Sequence, residues 1–286
     1  RVQDNLGWWI FSWKKSVAKT QPIKFKRFLD LQSPRQTVSA CMILKDGEDM
    51  IRRCLKSVQP FADEIIVVDN GSTDNGVEIC KQFGAKIITS ENATKIGFDA
   101  CRNKSIKDAK GDWIFWIDDD EEITNVPNLY KYLRPNVFNG YSIKQHHFTT
   151  DPVGSFKIDL PIRLFRNHMG IKFYGYVHEH PEFKINDGVG ASSILGDVDI
   201  AHDGYFTETG RKGRFQRNID LMLKDREINP TRNLGKFLMI RDWVHLARYE
   251  MEQKGGVTPQ AQTYLQKAVK EFRDEFLHAE EGSPKI

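Results

Sequence analysis

The sequence lacks several features that would place it in a class at once. No apolar run in its 286 residues approaches the ~20 needed to cross a bilayer, and no signal peptide is visible. The four cysteines (Cys41, Cys54, Cys80, Cys101) form no C-x-x-C pair and lie within apolar or helical patterns, so they read as reduced core thiols of a soluble, cytoplasmic protein. Charge of one sign is missing too. With 42 Lys and Arg against 39 Asp and Glu, the net charge of +3 is too small to argue for nucleic acid. The first strand candidate is followed by L-K-D-G-E-D and not by G-x-G-x-x-G, which removes the phosphate cradle of a dinucleotide cofactor and argues against a Rossmann dehydrogenase. The chain begins at Arg1 and not at Met, as a fragment of a longer protein would.

What the sequence does have is concentrated at Trp113–Glu122, W-I-F-W-I-D-D-D-E-E, five large apolar residues running into five carboxylates. The apolar half predicts a strand buried on both faces. If the chain stays extended, Asp118 and Asp120 share one face and Asp119 turns to the other. Such a pair suits Mg²⁺ or Mn²⁺, with waters and substrate phosphates completing the shell. A solvated acidic loop is the bland alternative.

Upstream, strands and helices alternate. Strands are predicted at Val38–Leu44, Glu64–Val68 and Lys86–Thr89, and helices at Glu48–Val58, Asn75–Phe83 and Phe98–Ala109. This order predicts an α/β fold with a mostly parallel sheet flanked by helices, and ligands on such sheets gather at the carboxyl ends of the strands. Asp69 closes the second strand in V-V-D-N-G-S-T-D, where it either meets a sugar hydroxyl or base edge or stabilises the turn. Before these elements, residues 1–36 combine Trp8, Trp9, Trp13 and Phe11 with lysines. Packing against the next domain is favoured there over a membrane-surface helix or nucleic-acid arm, because Pro22 and Pro34 break a long helix.

These motifs, together with F-D-A-C-R-N at 98–103 and G-D-W-I-F-W-I-D-D-D-E at 111–121, resemble in order and spacing the N-terminal half of family 2 glycosyltransferases with the GT-A fold. The resemblance implies an inverting, metal-dependent transferase using a nucleotide-sugar donor, UDP-linked. It implies that Asp118 and Asp120 are the D-x-D pair, Asp120 the better metal ligand and Asp118 near the ribose or a metal-bound water. Asp69 would meet the base, with Arg102 and Asn103 lining the same pocket; where many relatives have V-V-D-D, this chain has Asn70.

In the second half, Tyr141–Phe148 predicts a strand whose adjacent His146 and His147 face opposite ways. R-L-F-R followed by V-H-E, within residues 163–180, resembles the lipopolysaccharide-core and peptide-modifying members. Glu179 is then the candidate general base, flanked by His178 and His180, with Glu182 and Asp187 as weaker rivals. Otherwise Glu179 is a surface acid paired with Arg163 or Arg166. The H-x-G-Y segment makes His202 a third metal ligand by resemblance, and Arg211, Lys212 and Arg214, on a loop opening a helix, would face the leaving diphosphate.

The sequence thus divides into an N-terminal extension (1–36), a catalytic domain (37–206) and a helical region (207–286) with three amphipathic helices. The last is compatible with a tetratricopeptide-like start, a lid or a homodimer surface. The default acceptor is a saccharide or lipid-linked glycan; a protein side chain and a hydroxymethylated DNA base are the alternatives. A nucleotidyltransferase and a non-catalytic sugar-nucleotide or protein-binding module are the competing classes.

Overall fold

The structure is a computed structural model that describes residues 34–134, 138–147, 157–182, 192–202 and 208–277. The basic aromatic segment at the N-terminus falls almost wholly outside them. In chain order the first half comprises β1 (Val38–Leu44), α1 (Glu48–Val58), β2 (Glu64–Asp69), α2 (Gly76–Gln82), β3 (Lys86–Thr89), α3 (Ala93–Ile96), α4 (Phe98–Asp108) and β4 (Trp113–Trp116). The second half continues with β5 (Glu121–Thr124), α5 (Val126–Leu129), β6 (Gly140–His147), β7 (Lys157–Asp159), β8 (Ile162–Arg166), β9 (Lys172–Tyr174), β10 (His180–Glu182) and β11 (Ser192–His202). Helices α6 (Glu208–Ile228), α7 (Asn233–Lys254) and α8 (Pro259–Phe272) close it.

Among the described residues, one nine-stranded sheet runs β3-β2-β1-β4-β8-β6-β11-β5, with β7 paired to β6, while β9 and β10 form a separate hairpin. The strand pairings leave six of the nine pointing one way, since β8, β5 and β7 are the antiparallel members. The mostly parallel α/β sheet expected from the sequence is therefore the one present.

Alternation explains why both faces are dry. In β1, Val38, Ala40, Met42 and Leu44 join the core packed under α1 and α2, while Cys41 and Ile43 face the opposite layer. Trp113 and Phe115 of β4 follow the first set, and Ile114 and Trp116 the second. Helix α1 contributes Ile51, Cys54, Leu55 and Val58, a spacing that lays one stripe on the sheet. Each such fully buried side chain contributes about 1.5–3 kcal/mol. All four cysteines are buried free thiols, as their apolar settings predicted.

The C-terminal helices fall where the sequence placed them, with one shift. Helix α6 begins at Glu208, so Arg211, Lys212 and Arg214 lie inside a helix and not on the expected loop. Thr258 caps α8, its Oγ1 accepting from Ala261 N at 3.1 Å. The helices bury Ile219, Leu221, Met222, Met239, Trp243 and Leu246, whereas Leu223, Phe237, Val269 and Phe272 stay exposed. The described residues belong to one compact unit. Among the described residues no helix is long and apolar enough to cross a membrane.

Candidate active site

The site is built on the turn after β4. The chain leaves the strand at Trp116, turns through Asp119 and Asp120, and enters β5 at Glu121, whose N–H donates to Asp118 O at 3.2 Å. The segment from Asp118 to Asp120 is therefore not extended as expected. The acidic run is a turn, and Glu121 and Glu122 belong to the next strand. A turn is favoured because Glu121 is pulled inward: its Oε2 accepts from Asp118 N (2.9 Å), and its Oε1 accepts from Arg163 Nη2 (2.7 Å) and Gln145 Nε2. That carboxylate has no exposed surface.

Asp118 and Asp120 consequently meet different partners. Asp118 Oδ1 accepts from Arg102 Nη2 at 2.5 Å, and Asp118 Oδ2 lies 4.0 Å from Arg163 Nη1. Both guanidiniums also lie against the Trp116 indole, at 4.3 and 3.7 Å from its centroid, which holds charge in a partly apolar setting. Burial works to raise the Asp118 pKa, but Arg102 and Arg163 outweigh it and hold the group well below the usual carboxylate range. Asp120 Oδ2 instead lies 3.1 Å from His202 Nε2. The Asp119 carboxyl packs over Gly47, where an added Cβ would stand 2.3 Å from its Oδ2. Burial, reinforced by Asp120 and Asp118, pushes that carboxyl up to about 8.

His202 reaches Asp120 because β11 ends there. Its register sets His202 beside His147 of β6 and Glu121 of β5. His202 Nδ1 lies 2.8 Å from His147 Nδ1 and 3.3 Å from Gln145 Nε2, and His147 Nε2 lies 3.0 Å from Asp159. The Asp120 hydrogen bond and the neighbouring carboxylates overcome burial and raise the His202 pKa. His146, on the other face as alternation requires, bonds Asp199 at 3.0 Å.

Glu179 arrives from the loop between β9 and β10. Its Oε1 accepts from Arg102 Nε at 2.6 Å, and its side chain is 9% exposed. The reading as a surface acid paired with Arg163 or Arg166 is corrected: the partner is Arg102, and the pair is buried. Burial raises the Glu179 pKa, with Arg102 opposing and Asp118 adding to the rise. Arg102 thus bridges Glu179 and Asp118. Asn103, beside it on α4, donates to Phe173 O (2.9 Å) and accepts from Phe173 N (2.8 Å), tying α4 to β9. Asp69 ends β2 and accepts from Ser72 N at 2.9 Å, the turn-stabilising bond.

A cavity of about 940 Å³ opens over these groups. Asp118, Glu179, Arg163 and His202 line its sheet side, and Arg214, Phe215, Arg241 and His245 line its helical side. The Phe215 and His245 rings stack there at 4.9 Å. Glu182 is exposed on β10, while Asp187 and the side chains of Arg211 and Lys212 lie outside the described residues. Residue-by-residue reading missed Glu121, Arg163, Gln145 and His147 as parts of one network. Their only signal was the period-two spacing of Gln145 and His147.

An α/β sheet that gathers acid, imidazole and guanidinium groups beyond the carboxyl end of a central strand defines the class in which ligands sit at the sheet edge. The chain belongs to glycosyl transferase family 2, whose profile matches residues 39–189. It is 28% identical over 245 residues to the SPbeta prophage-derived glycosyltransferase SunS of Bacillus subtilis strain 168, covering 85% of this chain and 55% of that protein. It is 34% identical over 146 residues to a TPR repeat-containing protein of Synechococcus elongatus, covering 50% of this chain and 34% of that one. The chain therefore spans from a third to just over half the length of these curated relatives. Among solved structures, S. aureus TarS residues 1–349 align over 82% of this chain and 80% of that one, with 14% identity and a TM-score of 0.44.

Proposed function

We propose that this chain moves a sugar from a nucleoside-diphosphate donor, UDP-linked, to a hydroxyl of a saccharide or lipid-linked glycan, with inversion at the anomeric carbon. The observation that carries this reading is the convergence of Glu179, Asp118 and His202 on one cavity, with Asp120 bonded to His202. Glu179 takes the proton from the acceptor hydroxyl as that oxygen attacks the anomeric carbon and the bond to the diphosphate breaks. Its burial suits it to the task, since a raised pKa makes a stronger base. Arg102 holds Glu179 and Asp118 in fixed relation through two charge-assisted bonds.

On the donor side, Asp69 and Asn70 sit at the carboxyl end of β2. The buried Asn70 Oδ1 has no hydrogen-bond partner among the described residues, an acceptor matched to a base or ribose donor. The buried Nη1 of Arg102 is likewise unsatisfied, which suits an anionic ligand. Arg214, on the opposite wall, is placed to meet negative charge as it develops on the leaving group.

Among the described residues no three His, Cys, Asp or Glu side chains are grouped to hold a metal ion. Asp120 and His202 nevertheless offer one carboxylate oxygen and one imidazole nitrogen, a donor pair that fits Mn²⁺ or Mg²⁺ if phosphate oxygens and waters complete the shell. Asp118 is bonded to Arg102. When bound, such a cation stabilises negative charge on the departing diphosphate.

The test is a panel of nucleotide sugars incubated with the full chain and Mn²⁺, scored for slow hydrolysis. Release of a nucleoside diphosphate from one member is expected. Release of pyrophosphate would assign the chain to nucleotidyl transfer instead, and no release from any member would overturn the reading.

A further inference from the structure

Three consecutive residues before Glu179 are held by a buried ion pair that comes from the helices and not from the sheet. Arg232, just ahead of α7, and Asp225, on α6, are 8% and 2% exposed and meet at 2.5 Å. Asp225 Oδ1 accepts from Tyr176 N at 2.9 Å. Arg232 Nη1 donates to Val177 O at 3.0 Å, and Arg232 Nη2 donates to His178 O at 2.6 Å. The fit is close: at Gly175, where φ is +113°, a Cβ would lie 2.4 Å from the Arg232 guanidinium carbon, so only glycine lets the loop pass. His178 itself has φ of +53°, a conformation a histidine adopts at a cost and keeps when its surroundings impose it.

We infer that Arg232 and Asp225 are positioning residues for Glu179, fixing its backbone from the helical side while Arg102 fixes its carboxylate from the sheet side. The inference rests on Glu179 being the base. Neither residue lines the cavity, so their effect runs through the loop and not through contact with donor or acceptor. A planar guanidinium that bonds two successive carbonyls is suited to this. A lysine reaches one of them and leaves the other unpaired.

The test uses the full chain as Arg232→Lys, Arg232→Met and Asp225→Asn, with Glu179→Gln as calibrator. Turnover is read on whichever nucleotide sugar the wild type hydrolyses fastest with Mn²⁺, where water replaces the acceptor and gives its proton to Glu179. UDP affinity in Mn²⁺ and deuterium uptake over residues 176–179 are measured alongside. Turnover is expected to fall about tenfold to a hundredfold, since misplacement of a reacting group by an ångström costs that much, and more in Arg232→Met than in Arg232→Lys. UDP affinity should stay within about twofold, because donor contacts are untouched. Uptake over 176–179 should rise while α7 keeps its protection.

Wild-type turnover in Arg232→Met overturns the inference, as does loss of UDP affinity in step with turnover, which a purely structural role would produce. Should Arg232→Met fail to fold, Arg232→Lys and Asp225→Asn decide by the same criteria. Full turnover by Glu179→Gln would remove the base assignment itself, whereas an inactive Glu179→Gln beside fully active Arg232 and Asp225 variants would remove only the positioning role.

Discussion

Asp118 and Asp120 stand two residues apart on one turn, yet what holds them differs in kind. Asp118 is gripped by guanidiniums, Arg102 at 2.5 Å and Arg163 at 4.0 Å, charges that stay fixed across the physiological pH range. Asp120 faces an imidazole, His202, which in turn meets His147 and Gln145, and imidazole is a group that accepts metal ions readily. On the function proposed above, the Asp118 side, continued through Arg102 to Glu179, holds the base in place, and the Asp120 side takes up and releases a ligand.

The largest effect that would break this contrast is expected at Glu179. Glu179→Gln should lower turnover by about 10²–10⁴, the usual worth of a general base, measured as initial rates on the nucleotide sugar that the wild type accepts. The acid limb of the wild-type profile should lie above 4.5, the ordinary glutamate value, because the folded pKa is raised and activity is lost as pH falls through it. That limb should vanish in Glu179→Gln. Arg102→Met, which leaves the buried Glu179 carboxylate without its guanidinium and Asp118, one-third exposed, with only Arg163 at 4.0 Å, should cost about 3 kcal/mol of stability by denaturant titration. On the Asp120 side, His202→Ala should weaken Mn²⁺-supported UDP binding by about tenfold or more while leaving stability within about 2 kcal/mol of wild type. The smallest effect is expected far from both. Lys81→Ala on α2 removes an exposed pair with Glu78 and should change stability by less than about 0.5 kcal/mol.

The two halves of the chain differed in how much their residues disclosed. The predicted strand at Val38–Leu44 and helix at Glu48–Val58 coincide with β1 and α1, because both elements bury apolar stripes whose period is written in the residue types. The turn at Asp118–Asp120 was not legible that way. Local alternation argued for extension, and what bends the chain is Glu121 bonding Arg163 and Gln145 from strands forty-two and twenty-four positions away. The Arg102–Glu179 pair was not legible either, because the path of the β9–β10 loop is what brings the two together. Long-range partners of charged groups are decided by topology, and a period in the sequence carries no record of them.

Calorimetric titration of UDP into the wild type, Asp120→Ala and Glu179→Gln, each with and without Mn²⁺, tests the division of labour most directly. The account predicts that Mn²⁺ tightens UDP binding in the wild type and in Glu179→Gln and does nothing for Asp120→Ala. Equal Mn²⁺ dependence in all three, or its loss in Glu179→Gln alone, would contradict it.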